Sequence, residues 1–532
     1  MAKNTTPTFT HELPLKYRSK LVHELLVRQN LARFIHNACV GEAEKRLGLL
    51  WQSKLYQKAR KMPQGQQRTE AFNQSRAAVQ FTDFALQSYA QKIRNDAYKD
   101  RIDSPTASLI GKRAFEAVSD YAYKKGGKAH FRKYNELRSV ESKTNDAGIR
   151  FRDGKVLWSG LEFECLINSK DKVTQHALNS PIKKCRLLTR ELRGKTQAYV
   201  QLVLEGYSYH DQEKHPVALG KTVSSDLGPS TIATTSEDSA FLQKFCPEIE
   251  HDYKKERQLK RKRDRQMRAN NPDNFNPDGT IKKLEPGEKH NWNISKRMKE
   301  TTAQIRNNSR VEAATRKKSH GNLANQMLEM GTIWLIEKVS YVSFQKNYGR
   351  SVGVRAPGMF VALMKQKCKR FGGTVIEFST YHTKLSQTCL CGRIEKKNLS
   401  QRVHNCPDCG LVMQRDLLSS FLALFVLDGI LQADLARKAW SSAEPLLQTA
   451  WRNAQSASGE SSRQTHFGAR PRSQSGSSAK IPIAITKAQN VVRSGGNATD
   501  ESLGEVVDYR GENLPALAVE SGSVERHMIN CF

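Results

Sequence analysis

The stretch TCLCGRIEKKNLSQRVHNCPDCGLVMQRD, residues 388–416, holds four of the chain's 10 cysteines as C-x-C, fourteen residues, then C-x-x-C. It ends on an aspartate seven residues after the last of them. A tetrahedral Zn2+ site takes four ligands from two short knuckles that a loop brings together. Cys406-Pro-Asp-Cys409-Gly is such a knuckle, because two intervening residues let both sulfurs face one point and Gly410 permits the turn. Cys389-Leu-Cys391-Gly has one intervening residue, a tighter chelate. His404 is an alternative ligand should Cys389 or Cys391 point away, and a metal-free loop is the remaining alternative. A redox dithiol lacks its setting, since no strand-CxxC-helix pattern surrounds these residues. Four cysteines leave no open coordination position, so the zinc expected here is structural.

The chain around this stretch is strongly basic: 86 Lys and Arg against 53 Asp and Glu give +33 over 532 residues. A charge of that size repels itself in a compact protein and is usually carried to meet a polyanion. Nucleic acid fits best, through phosphate neutralisation and counterion release. No run of about 18 apolar residues is present, and MAKNTTPTFTHELPLKYRSK has no apolar signal core. The expectation is therefore a cytosolic protein with no membrane partner. Its other cysteines (Cys39, Cys165, Cys185, Cys246, Cys368 and Cys531) follow no spacing rule and read as reduced thiols.

From Tyr17 to Arg138 apolar residues recur every three or four positions with basic residues between them, which predicts helices throughout. IRFRDGKVLWSG and LEFECLI predict a hairpin about Asp153-Gly154, and QAYVQLVLEGY a further strand. Strands are again predicted from Val217 to Phe245. A basic helix follows in DYKKERQLKRKRDRQMR, and a second basic helical stretch runs from Trp292 to Met330. TIWLIEKVSYVSF is an apolar run, GTVIEFS reads as another, and LLSSFLALFVLDGILQADLARKAW reads as one helical run. Beyond Gln455 the composition turns to Ser, Gly and Arg, as in disordered segments.

Three acids stand out. Asp226 ends the apolar strand of TVSSDLGPSTIATTS, before a glycine turn. Glu337 lies near the middle of TIWLIEKVSYVSF, where an unpaired acid is costly without a partner or metal. Asp416 heads an amphipathic helix, a position the helix dipole alone would favour. Each has a plain structural reading by itself. Taken together, strand, strand and helix can converge on two Mg2+ or Mn2+ ions for in-line phosphodiester hydrolysis.

The motifs SSDLGPSTIATTS, LIEKVSYVSF, GGTVIEFSTYHTKLSQTCLCG, LSQRVHNCPDCG and QRDLLSSFLAL, in that order, resemble the RuvC-like nuclease domain of transposon-encoded TnpB proteins and the compact type V CRISPR effectors. TKLSQTC is similar to that family's lead-in to its zinc insert, which lies between the second and third acids, as here. The resemblance implies an α+β multidomain chain. Residues 1–145 would form a basic helical recognition lobe with an N-terminal wedge strand, and 146–215 a small β-barrel-like wedge domain. An RNase H-like (RuvC) α/β nuclease domain would occupy 216–387 and 413–452, with a zinc-ribbon insert at 388–412 and a disordered or loosely attached tail at 453–532.

The same resemblance makes Asp226, Glu337 and Asp416 the catalytic acids holding Mg2+ or Mn2+, and Cys389, Cys391, Cys406 and Cys409 the zinc ligands. Arg402 falls where the family often has an arginine, placed to touch a phosphate, and Arg415 is a second nucleic-acid candidate. Lys254, Lys255, Arg257, Lys260, Arg261 and Arg263 would face nucleic acid from the basic helix, unless they are simply a solvated face. The partners implied are a guide RNA and a double-stranded DNA target with a short flanking motif. Two positions depart from the family pattern: the first knuckle lacks a residue, and Leu418 stands where an asparagine is usual in D-x-N-A-A. The activity expected is RNA-guided DNA cleavage. The alternatives are guide-directed DNA occupancy with weak or no cleavage, and an accessory protein binding transposon ends.

Overall fold

The computed structural model describes residues 6–458, apart from 193, 250, 286, 287, 289, 399 and 400. The Ser/Gly/Arg-rich tail and Cys531 lie outside the described residues. The chain divides into two compact units between Tyr209 and His210.

In the first unit, strand β1 (Thr8–Pro14) precedes five helices: α1 (Ser19–Gln52), α2 (Lys54–Lys61), α3 (Gln66–Ala78), α4 (Asp83–Ala97) and α5 (Ser104–Ala122). Helix α1 buries Leu25, Ala32, Ile35, Cys39, Ala43, Leu47 and Leu50, the three- and four-residue spacing read from the sequence. Side chains cap two helix starts: Thr82 accepts from the Ala85 N–H and Asp103 from the Thr106 N–H. The helical expectation fails after Ala122. Lys124 adopts φ 58, which closes α5, and Gly126-Gly127 follow.

Next come β2 (Ser139–Glu141), β3 (Arg150–Arg152), β4 (Lys155–Trp158), β5 (Leu161–Glu164), α6 (Lys172–Leu178), β6 (Ile182–Leu192) and β7 (Lys195–Glu205). The predicted Asp153-Gly154 turn forms with φ 47 and 76, and Ser159-Gly160 repeats it with φ 44 and 79. These left-handed pairs match the twist of two-residue hairpins, giving the meander β3-β4-β5. A second sheet has the order β1-β7-β6-β2. Two separate sheets stand where a barrel-like wedge was expected, and neither closes on itself. Helices and sheets share one core, with Leu25, Ile35, Leu86, Ile110, Trp158, Leu187 and Leu202 all buried in it.

The second unit is built on the five-stranded sheet β10-β9-β8-β11-β12. Strands β8 (Thr222–Leu227), β9 (Thr231–Ser236) and β10 (Ala240–Lys244) form an antiparallel meander. Helices α7 (Tyr253–Asn270) and α8 (Lys296–Met330) intervene before β11 (Ile333–Lys338), which pairs parallel to β8. Helices α9 (Tyr341–Arg355) and α10 (Pro357–Arg370) lead to β12 (Thr374–Ser379), parallel to β11. A one-turn helix, α11 (Thr380–Thr383), follows. The cysteine segment forms the hairpin β13 (Val403–Asn405) and β14 (Val412–Gln414), and α12 (Arg415–Ala423) starts directly after it. A tiny hairpin, β15 (Val426–Leu427) and β16 (Ile430–Leu431), and the long α13 (Ala433–Ser458) complete the unit.

Side chains alternate across this sheet. Trp334 and Ile336 of β11 pack with Leu323, Met327 and Phe360 from α8 and α10. Leu335 packs with Leu418, Phe421 and Leu422 from α12. Burial on both faces explains why β11 reads as a continuous apolar run. Two expectations are corrected here. The run TIWLIEKVSYVSF stops being strand at Lys338, and Ser340 caps α9 by accepting from the Ser343 N–H. The expected single helix after Asp416 is broken at Asp428-Gly429, with φ 50 and 78.

Gly373 enters β12 where a Cβ would sit 2.0 Å from the Thr332 carbonyl oxygen. A Cβ on Gly321, inside α8, would meet nothing within 4 Å. Gly373→Ala is expected to cost about 1–3 kcal/mol by overpacking, and Gly321→Ala to gain about 0.4–1 kcal/mol by stiffening the unfolded chain. Thermal denaturation of the two variants should shift in opposite directions.

Candidate functional site

The four sulfurs come together. Cys389 Sγ lies 3.5 Å from Cys409 Sγ, and Cys391 Sγ lies 3.6 Å from Cys406 Sγ. All four are within 4.8 Å of one another, the only such group of metal-ligand atoms among the described residues. Zn–S bonds of about 2.3 Å in a tetrahedron require sulfurs about 3.8 Å apart, so the quartet fits zinc. The short first knuckle closes as the second does. The Cys389 N–H donates to the Arg393 carbonyl, with Gly392 at φ 91. The Gly410 N–H donates to the Cys406 carbonyl, with Gly410 at φ 70. Burial pushes the Cys406 thiol up, but hydrogen bonds from the backbone N–H groups of Cys409 and Asp408, together with those of the Cys389 and Cys409 side chains, bring it down to about 7. His404 is not a fourth ligand. Its Nδ1 lies against Lys397 Nζ, its buried Nε2 has no hydrogen-bond partner, and burial lowers it to about 4.

The acids arrive on three elements. Parallel pairing sets Ile336 opposite Ser225, so the next step along both strands puts Glu337 beside Asp226. Helix α12 brings Asp416 in its first turn. Hydroxyls hold that helix on the sheet: Ser420 Oγ lies 2.6 Å from Thr235 Oγ1, and Ser224 Oγ donates to the Ser420 carbonyl at 2.5 Å. The Gln414 side chain, at the end of the cysteine hairpin, caps α12 by accepting from the Leu417 N–H at 2.6 Å.

Asp226 is raised well above the ordinary carboxyl range by burial first, then by the charges of Asp416 and Glu337. Arg415 and Arg402 oppose that rise. Burial also raises Glu337, against the Thr383 hydroxyl, which donates to Oε1 at 3.4 Å, and a bond from the Leu385 backbone. Asp416 is gripped by two arginines: Arg402 Nη1 lies 3.3 Å from Oδ2 and Arg415 Nε 3.2 Å from Oδ1. Thr231 adds a long contact of 3.5 Å. The Arg415 N–H donates to the Arg402 carbonyl at 2.8 Å, tying the cysteine hairpin to the helix start. Asp226 thus feels the charges of Asp416 and Glu337, with two guanidinium groups beside Asp416.

Leu418 is 2% exposed, inside the core beneath α12. On α7, Lys254, Lys255, Arg257, Lys260 and Arg261 are exposed and Arg263 half-buried. Lys260 pairs with Glu256 at 2.8 Å and Arg263 with Asp264 at 3.2 Å. Sequence reasoning did not single out Thr383 or the hydroxyls of Ser224, Thr235 and Ser420. No local pattern marks them, because their partners are far along the chain.

Residues 358–421, which contain the whole cysteine segment and Asp416, match the Cas12f1-like TNB domain family. The likeness to compact type V effectors read from the motifs is borne out over that segment. No curated protein matches the chain. Among solved structures, a Cas12f1–sgRNA–target DNA complex is similar at 11% identity and TM-score 0.38, over 78% of this chain and 98% of that one. A CRISPR-Cas12f ternary complex is similar at 11% identity and TM-score 0.25, over 75% and 80%. No described helix is long and apolar enough to cross a membrane.

Two outcomes follow. Cys406→Ser with Cys409→Ser is expected to abolish stoichiometric zinc, measured by atomic absorption, and to lower the melting temperature. Asp226 has a folded pKa above its unfolded value, so the folded state binds the extra proton and its stability falls as pH rises above the ordinary aspartate range. Without divalent metal, Asp226→Asn should therefore raise the melting temperature at pH 7, each pKa unit being worth about 1.4 kcal/mol. The gain should vanish below about pH 3.9. An unchanged melt at pH 7 would contradict the burial of this charge.

Proposed function

We propose that the chain is an RNA-guided DNA endonuclease with a single RuvC-like, RNase H-like site. The observation that carries this reading is the placement of the acids: Asp226 and Glu337 follow the last paired residues of the parallel strands β8 and β11, and Asp416 stands in the first turn of α12, directly after the four-cysteine hairpin. The match of that hairpin and the start of α12 to a Cas12f1-like domain supports it. So does a charge of +33, suited to a guide RNA and a DNA duplex bearing a short flanking motif.

Asp226, Glu337 and Asp416 would hold two Mg2+ or Mn2+ ions, whose chemistry is to activate water and stabilise the leaving oxygen. The protein's own part is positional. Burial and repulsion keep Asp226 poised for a cation, Thr383 fixes the rotamer of Glu337, and Arg402 and Arg415 balance Asp416. Exchange of a carboxylate for a phosphate would let the half-exposed Arg402 grip the scissile strand, since guanidinium binds both oxyanions by the same fork. Zinc is assigned to scaffolding, because its four thiolates leave no open position.

Leu418 favours a second reading, guide-directed DNA occupancy with weak cleavage. It turns a hydrocarbon into the core at a position next but one to Asp416, so no amide from that residue supports the site. Plasmid nicking by the purified protein with its bound RNA and Mg2+ separates the two. Cleavage reduced about 10²- to 10³-fold by Asp226→Ala is expected, from the several kcal/mol that metal-ligand loss forfeits. Target binding with no nicking, unchanged by that substitution, would leave occupancy as the function.

A further inference from the structure

Where the helical pattern of the first unit fails, the chain reads YAYKKGGKAHFRKY, residues 121–134. These fourteen residues hold four aromatics, five Lys or Arg, one His and no acid. Every aromatic is exposed: Tyr121 39%, Tyr123 45%, Phe131 59% and Tyr134 74%. Phe34 of α1, 50% exposed, adds a fifth ring.

The ribbon is held rather than loose. Asn37 donates to the Arg132 carbonyl and accepts the Arg132 N–H, both at 2.9 Å. One turn pair earlier on α1, Asn30 pairs with Asn135 through its side chain at 2.6 Å and its backbone N–H at 2.9 Å. Gly41 leaves room for the Phe131 ring, which a Cβ there would touch at 3.7 Å. Arg33 stacks on Phe34 at 4.2 Å and donates to the Arg132 carbonyl. Lys128 is loosely paired to Glu44 at 3.9 Å. At the other end, the Lys125 N–H donates to the Asp120 carbonyl at 2.8 Å, fixing the turn out of α5.

Rigid, solvent-facing rings interleaved with cations are what a single-stranded nucleic acid needs: faces for its bases and charges for its phosphates. A duplex hides its base faces and would leave the rings idle. A protein partner is a poorer fit, because interface cores are depleted in lysine. We propose that residues 121–134, with Phe34, form a binding track for single-stranded nucleic acid, stacking unpaired bases on Phe131 and Tyr134. This proposal is independent of the acids at the end of β8 and goes beyond the cleavage reading.

The test uses the full chain freed of nucleic acid, in EDTA, so that cleavage plays no part. It is titrated with short single-stranded DNA and RNA carrying 2-aminopurine, and with the matching duplex. Wild type is expected to quench 2-aminopurine in the single strands. Phe131→Ala with Tyr134→Ala should weaken single-strand binding roughly fivefold or more and leave duplex binding unchanged. Phe131→Trp with Tyr134→Trp should restore it, which a merely structural role would not produce. Lys124→Ala with Lys125→Ala should flatten the salt dependence. A loss confined to RNA assigns the track to an unpaired guide segment, and one confined to DNA to a separated target strand; both support the proposal. Unchanged single-strand affinity, an equal loss for duplex, or an effect only on sedimentation mass, the mark of a contact between copies, would overturn it.

Discussion

The second unit turns on one electrostatic cost: half-buried Asp226 on β8 feels the charges of Glu337 on β11 and of buried Asp416 on α12. Asp226 is lifted by burial and by both neighbours. Like charges do not stay together in an apolar setting unless something else fixes the elements that carry them. Here the parallel β8–β11 register fixes two acids, and the docking of α12 fixes the third. That docking runs through Ser224, whose hydroxyl donates to the Ser420 carbonyl, and through the paired hydroxyls of Thr235 and Ser420, across the sheet–helix seam. The four-cysteine hairpin adds its own grip, through Gln414 and the Arg402 carbonyl.

Seen this way, the cysteines and the acids belong to one construction. The hairpin β13–β14 ends one residue before α12 begins, so any looseness in the knuckles reaches Asp416 at once. The missing residue of the first knuckle does not loosen it, since Gly392 takes the same left-handed turn as Gly410 and the sulfurs converge. The serines of DLLSS show a similar compensation. Ser420 keeps the small size that lets α12 lie close to β8 and adds hydrogen bonds that an alanine could not make.

Much of this was legible in the sequence because it is local. Apolar spacing marked α1, the Asp-Gly pair marked the β3–β4 turn, and cysteine spacing marked the four-cysteine hairpin. The continuous apolar run of β11 was legible as buried strand, but not its end, because Tyr341 and Phe344 continue the hydrophobicity on a helix. The closure of α5 was missed for a related reason: Lys124 takes a left-handed conformation that composition does not announce. The polar interlock beneath Asp416 was invisible, since Ser224 and Ser420 stand far apart along the chain and only the register of the sheet brings them together.

The hydrocarbon at Leu418 bears on how far such a site tolerates change. Its neighbours in the helix divide the work: Asp416 pairs with Arg402 and Arg415, Ser419 bonds back to the Arg415 carbonyl, and Ser420 meets the sheet. Leu418 packs with Leu335 and Phe421, so the substitution strengthens the seam that an amide would have interrupted. An asparagine there would have to find partners in a dry core or turn toward the acids. The sequence has chosen packing at that position, and orientation of the site falls to Thr383, Arg402 and Arg415, each reaching an acid from a different segment.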